Sequence, residues 1–266
     1  MSPMPILSAR DVHVFYDRRG RAGGAGVVFL HGLGSSSSDW ALQVPSFEER
    51  HRVILVDLPG HGQSRATRWA RSIEGMAGDV AALLADLQEP PAHVVGLSLG
   101  GCVALALALR SPEHVRSLTL VNAFARLRPA DARALFRMLT RATLLAVAPM
   151  RTVAAHVARG LFPRADQEML YRAAVDSLSR TPRRAYIASA RALLGFDVAD
   201  RLDTIKAPTL VIAGGADRTI PLVAKEDVAR RISGARLVVF PDSGHATPMD
   251  EPAAFNDSVL EFIAAH

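Results

Sequence analysis

Six short runs dominate the sequence: Val27–His31 (VVFLH), Val53–Asp57 (VILVD), His93–Leu97 (HVVGL), Leu118–Val121 (LTLV), Thr209–Ala213 (TLVIA) and Leu237–Phe240 (LVVF). They are rich in β-branched residues and apolar at nearly every position. A strand with one wet face alternates apolar and polar residues, so a continuous run needs cover on both faces. Between the runs lie segments with apolar residues three and four apart. Ser72–Leu87 carries Ile73, Met76, Val80, Leu83, Leu84 and Leu87, and Gly100–Arg110, Leu222–Ile232 and Ala253–Ala265 also read as helices. This alternation predicts an α/β fold, a mostly parallel twisted sheet flanked by helices with right-handed crossovers. Asp11–Tyr16 alternates and predicts antiparallel edge strands, and the glycine-dense Arg21–Gly26 a loop.

From Phe124 to Asp200 the strand rhythm stops, and helical patterns are broken by Pro129, Pro149, Pro163 and Pro182. The expected organisation is a core of residues 1–123 and 201–266 with a helical cap at 124–200. The cap holds 13 Arg against 6 acidic residues, while the rest of the chain has 18 basic residues against 20 acidic ones. The net charge of +5 therefore belongs to the cap. Solubility accounts for it most simply; attraction of anionic substrates is the sharper alternative. Leu135, Phe136, Met138, Leu139, Leu144, Leu145, Leu161, Phe162 and Met169 exceed what a helical hairpin needs. Some are expected to face the core and some to line an apolar pocket near Ser98.

With 266 residues and 49% hydrophobic composition, the chain can bury a substantial core. No stretch approaches the ~18 apolar residues of a membrane span. Met1–Arg10 lacks the basic and apolar segments of a secretory signal, and Cys102 is the only cysteine, so a cytoplasmic location is expected. No Arg cluster interleaved with aromatics points to nucleic acid.

Gly96-Leu97-Ser98-Leu99-Gly100 matches G-x-S-x-G, with an apolar strand before it and an apolar helix after it. Such a strand-to-helix turn lifts a serine hydroxyl clear of the sheet, with small neighbours relieving the crowding. An ordinary glycine turn would show the same five residues, so the flanking elements carry the inference. A hydroxyl needs a base, and the base needs a third group to fix its tautomer. Two late loops offer these: Asp217 follows TLVIAGGA and His245 follows LVVFPDSG, both at strand ends. Asp242 is too close in sequence to orient His245 and is expected to hold its own loop, while Asp250 looks like the N-cap of the last helix. His61, His93, His114 and His156 lack useful partners. No His/Cys/Asp set has metal-ligand spacing, so neither metal nor cofactor is expected. A rival remains in Gly32-x-Gly34-x-x-Ser37 followed by Asp57, which nearly matches a dinucleotide fingerprint. Ser37 replaces its third glycine, and it leaves Ser98, Asp217 and His245 unexplained.

Asp57-Leu58-Pro59-Gly60-His61-Gly62-Gln63-Ser64, taken with HGLG, GLSLGG, GGAD and DSGH, resembles the capped α/β-hydrolase superfamily from Val27 to His266, apart from the insertion. The resemblance is greatest to small bacterial carboxylesterases and 3-oxoadipate enol-lactonases. It implies the order Ser98, Asp217, His245 as nucleophile, acid and base. Some relatives place the acid where this chain has Asn122, whose amide cannot serve. It further implies that the backbone N–H groups of Leu33 and Leu99 form the oxyanion hole, and that DLPGHGQS is a structural turn supporting the HGLG loop. The implied activity is hydrolysis of a carboxylic ester, with enol-lactone or carbon–carbon bond hydrolysis as alternatives. Cofactor-free haloperoxidases share the triad, and Ser98 argues against haloalkane dehalogenases. The implied partner is a small ester or lactone, not nucleic acid or membrane, and a homodimer is compatible with the pattern.

Overall fold

The computed structural model describes residues 6–9, 12–66, 72–128 and 131–266. Among them, nine strands form one sheet: β1 (Ile6–Ala9), β2 (Val12–Gly20), β3 (Gly26–Leu30), β4 (Arg52–Val56), β5 (Arg65–Ala66), β6 (Ala92–Leu97), β7 (Val115–Val121), β8 (Thr209–Gly214) and β9 (Arg236–Phe240). Their order is β1-β2-β4-β3-β6-β7-β8-β9, with β5 against β2. From β4 to β9 every neighbouring pair is parallel. The six apolar runs are these parallel strands. β2 is antiparallel to β1, β4 and β5, as the alternating stretch predicts. Asp11 and Pro129 lie outside the described residues.

The helices are α1 (Val44–Glu48), α2 (Ile73–Asp86), α3 (Leu99–Arg110), α4 (Ala132–Val147), α5 (Met150–Leu161), α6 (Glu168–Arg180), α7 (Arg183–Gly195), α8 (Leu222–Arg231), α9 (Thr247–Asp250) and α10 (Pro252–Ala264). Alternate strand residues feed two cores. Val28, Leu30, Ile54, Val56, Val94 and Leu120 pack with α2 and α3. Val27, Phe29, Val53, Leu55, Val95 and Ile212 pack with Trp40, Phe47, Phe255 and Phe262. Successive side chains point to opposite faces, which is why these strands tolerate no polar alternation. Ser72 starts α2 by accepting the Gly75 N–H at 3.1 Å. α3 is buried from Leu99 to Ala108, so it is apolar around its whole circumference.

Helices α4–α7 occupy the interval between β7 and β8, where the strand rhythm stops. They share a small core of Leu145, Val153, Ala154, Ala158, Val175, Leu178 and Tyr186, and Leu33, in the loop after β3, packs against it. The expected burial of the apolar residues here holds only in part. Leu145 and Phe162 are buried, but Leu135, Phe136, Leu139 and Met169 face solvent, with Phe136 69% and Met169 86% exposed. α4 turns its Leu144–Leu145 edge toward this core, and Arg183 donates to the Leu145 carbonyl at 2.6 Å. Leu135, Phe136 and Leu139 lie on the opposite side of the helix. Among the described residues, no helix is long and apolar enough to cross a membrane.

β3 lies between β4 and β6, so the chain winds outward one way through β4 and the other way from β6. Open α/β sheets bind ligands at such a reversal, beyond the carboxyl ends of the strands. His31 and Ser98 follow directly from those ends.

Candidate active site

Ser98 alone joins β6 to α3, at φ +53° and ψ −109°. A non-glycine residue held there costs about 1–3 kcal/mol, which the surrounding packing must sustain. A Cβ on Gly96 would strike the backbone of Gly100, and one on Gly100 would strike the Leu30 carbonyl. The glycines thus allow helix, elbow and β3 to approach this closely. The Ser98 N–H donates to the Val121 carbonyl at 2.9 Å, fixing the elbow to the end of β7. Leu99 is the first residue of α3, so its N–H lacks a carbonyl one turn earlier and points toward the positive end of the helix dipole.

The HGLG loop is braced from both sides. His31 is fully buried; its Nδ1 donates to the Gly32 carbonyl at 2.8 Å, and its Nε2 accepts the Leu58 N–H at 2.9 Å. Burial lowers its pKa, and this pattern holds it neutral. Asp57 accepts from the Ser37 and Gln63 N–H groups, each at 2.7 Å. DLPGHGQS is thus the structural support predicted from its sequence. On the other side, Thr181 Oγ1 donates to the Gly34 carbonyl at 2.8 Å. Gly34 has φ +81°, and a Cβ there would strike Leu178 and Tyr186.

Asp217 and His245 come together. His245 Nδ1 donates to Asp217 Oδ2 at 2.8 Å, leaving Nε2 for a second partner. Asp217 Oδ1 accepts from the Thr219 and Ile220 N–H groups at 2.7 and 3.1 Å. Burial alone would raise the Asp217 carboxyl, but His245 and Lys225 outweigh it and hold it at about 2. The loops carrying the pair are knitted together by Ala216 N–H donating to the Ser243 carbonyl at 2.9 Å. Asn122, directly after Val121, donates from Nδ2 to the His245 carbonyl at 2.8 Å and to Thr247 Oγ1 at 2.9 Å. Ser98 and His245 therefore hang on consecutive residues, Val121 at the end of β7 and Asn122 just beyond it.

Sequence reasoning missed two supports and misplaced a third. Asn122, considered only as a failed acid, is fully buried and anchors the His245 loop. Lys225 was not singled out as a site residue, and it touches Asp217. Asp250 is not the N-cap of the last helix; Glu251 is, with Pro252 following. The Asp250 carboxylate turns back to accept from the Gly244 N–H at 2.7 Å and from Ser243 Oγ at 3.1 Å. Asp242 does not take that role: it is exposed, and its carbonyl receives Arg164 at 3.3 Å. His61 and His93 are buried and driven down to about 3 and about 4 by burial first, whereas His156 is exposed and His114 half-buried.

The dinucleotide alternative fails on geometry. No α-helix starts at Gly32–Gly34; the strand runs into a 3-10 turn at Ser37–Trp40, and Asp57 is occupied by backbone N–H groups. A pyrophosphate site at this motif needs that helix N-terminus.

A family model described as alpha/beta hydrolase fold matches residues 27–252. The chain is 38% identical over 256 residues to a protein of Variovorax paradoxus (strain S110) provisionally named carbamate hydrolase RutD, covering 94% of this chain and 95% of that one. It is 30% identical over 254 residues to 3-oxoadipate enol-lactonase 2 of Acinetobacter baylyi, covering 95% and 94%. The crystal structure of a hydrolase from Pseudomonas aeruginosa PA01 matches with a TM-score of 0.90 at 31% identity, covering 98% of both chains. By its sheet order, its serine elbow and the span of these matches, the chain belongs to the alpha/beta hydrolase fold family.

Proposed function

We propose that the protein is a serine hydrolase that cleaves a small or medium-chain carboxylic ester through an acyl-enzyme intermediate. The observation that carries this reading is the His245–Asp217 hydrogen bond, set beside a strained Ser98 elbow at the same edge of the sheet. His245 Nε2 takes the Ser98 hydroxyl proton as Oγ bonds to the ester carbonyl carbon. The resulting oxyanion accepts from the N–H groups of Leu33 and Leu99. His245 then gives the proton to the alkoxy oxygen as the carbon–oxygen bond breaks and the alcohol leaves. A water activated by His245 repeats the attack and releases the acid. Asp217 stays ionised throughout, consistent with its carboxyl at about 2. Each oxyanion donor contributes roughly 3–4 kcal/mol to lowering the barrier.

Residues 124–200 act as a cap in this proposal. Thr181, Leu178 and Tyr186 on the Gly34 side, and Gln167 donating to Asp250 at 2.8 Å, support it. A second reading, hydrolysis of an enol-lactone or carbamate, is favoured by the names of the relatives at 38% and 30% identity. The test is a panel of p-nitrophenyl esters of rising chain length, lactones and carbamates with the purified protein and Ser98→Ala. Ester turnover lost in the variant supports the proposal. Turnover surviving in the variant, or none on any carbonyl substrate, refutes it.

A further inference from the structure

Lys225 is one of two lysines in a chain with 31 Lys and Arg residues, and its side chain is 0% exposed. Its Nζ donates to Asp217 Oδ2 at 2.9 Å, Asn122 Oδ1 at 3.0 Å and the Gly214 carbonyl at 3.0 Å. Those three bonds use every N–H of the ammonium. The cation thus shares one carboxylate oxygen with His245 Nδ1 and one amide with the His245 loop. An isolated buried ammonium is very costly, and its retention here calls for a role that apolar packing would not fill.

We infer that Lys225 is a positioning residue: through Asn122 it locks the Asp217 and His245 loops together, and its charge offsets the pull of Asp217 on the His245 proton. This rests on the triad reading above. A carboxylate alone beside an imidazole favours the protonated ring, which cannot accept the Ser98 proton. A cation on the same oxygen weakens that preference. Other charged groups around the pair are Arg218 beside Asp217, Glu226 and Asp227 on α8, Asp200 before β8, and Asp242, Asp250 and Arg164 around the His245 loop. All are exposed or half-buried, where solvent screens them. Burial pulls Lys225 below the usual lysine range while Asp217 opposes it, as expected of a buried pair with matched charges.

The experiment compares pH profiles of kcat/KM for the wild type and Lys225→Met, with melting temperature measured alongside. The ascending limb is expected to move up by about one pH unit. Below the limb, kcat/KM then falls about tenfold, carried by kcat with KM within about twofold. Lys225→Gln is one atom shorter but keeps an N–H donor without the charge, and carries the same test should Lys225→Met lower the folded fraction. A limb that stays in place in the folded variants, with only the melting temperature lowered, overturns the inference. If Ser98→Ala kept its turnover, the triad reading itself would fall; a dead Ser98→Ala with an unmoved Lys225→Met limb removes only this inference.

Discussion

Asp250 is held between Gln167, which donates to its Oδ1 at 2.8 Å, and Gly244, whose N–H donates to its Oδ2 at 2.7 Å. One carboxylate thus connects the segment before α6 to the residue preceding His245. Burial, the largest influence, raises its pKa above the usual aspartate value despite these donors. Asp250→Ala removes both links and leaves the Gly244 N–H without its acceptor. A fall in kcat of about tenfold to a hundredfold is expected, as for supports that orient a reacting group. Steady-state kinetics read it directly. Unchanged kcat would mean that the loop holds its shape without this carboxylate.

Ser98→Ala and His245→Ala are each expected to lower kcat by about 10⁴–10⁶-fold, and the double variant by little more, because the two groups act as one unit. Ala fits the elbow sterically less well than Gly but no worse than Ser, so the fold is expected to persist. Circular dichroism checks the fold and ester kinetics check the activity. Multiplicative losses in the double variant would show that the two side chains act independently.

Asp217 has a folded carboxyl at about 2, below the 3.8 of an unperturbed aspartate. A depressed folded pKa means stability that is fully present above pH about 4 and is lost as pH falls toward about 2. The amount is on the order of 2 kcal/mol. Asp217→Asn should therefore be less stable at neutral pH and lose less on acidification through that window. Its activity should fall by about 10²–10⁴-fold, since Asn presents the wrong partner to His245 Nδ1. Urea unfolding at pH 7 and pH 3 tests the first part. Equal stability differences between variant and wild type at the two pH values would contradict it.

The sheet was legible because burial on both faces leaves an unambiguous mark, runs such as VVFLH and VILVD with no polar alternation. Ser98, Asp217 and His245 were legible as candidates because each follows a strand end and carries its own turn residues. The supports were not. Lys225 sits in LVAKEDVARR, which reads as an ordinary polar helix, and its buried partners include Asn122, 103 residues earlier, which no local pattern connects to it. Asn122 adopts φ +47°, a conformation that asparagine tolerates better than most residues, but sequence alone does not announce it. Asp250 did leave a signal. Pro favours the first helical position, so Pro252 marks Glu251 as the cap and frees Asp250 for the loop. The exposed apolar face of α4 was unreadable, since periodicity shows that a helix has an apolar side but not what covers it.

Residues 124–200 carry 13 Arg and 6 acidic residues. Several are paired locally, including Arg151 with Asp176 at 3.1 Å and Arg172 with Glu168 at 2.9 Å. Exposed pairs of this kind add little stability and leave the net positive field in place. A carboxylated ester is therefore expected to gain in kcat/KM over its neutral match at low salt and to lose that advantage as the Debye length shrinks. Preference for the neutral ester at every ionic strength would assign these arginines to solubility.

The contact between Thr181 and Gly34 tests whether residues 124–200 govern access to the site. Thr181 Oγ1 donates to the Gly34 carbonyl at 2.8 Å, and Gly34 belongs to the loop that carries Leu33. Thr181→Val keeps the shape and removes the bond, so the carbonyl loses a buried partner, a cost of about 1–3 kcal/mol. Gly34→Ala acts differently. At φ +81° an alanine is strained, and its Cβ meets the Leu178 side chain at 2.6 Å and the Tyr186 ring at 2.7 Å, so those side chains of α6 and α7 must give way or the loop must shift. If those helices close over substrate, both variants should raise KM. Gly34→Ala should also lower kcat, because the Leu33 N–H shifts with its neighbour. If the helices are only a distant appendage, both variants should lower the melting temperature while KM stays at the wild-type value. KM and kcat measured on one ester, beside thermal melts of the same preparations, separate the two outcomes.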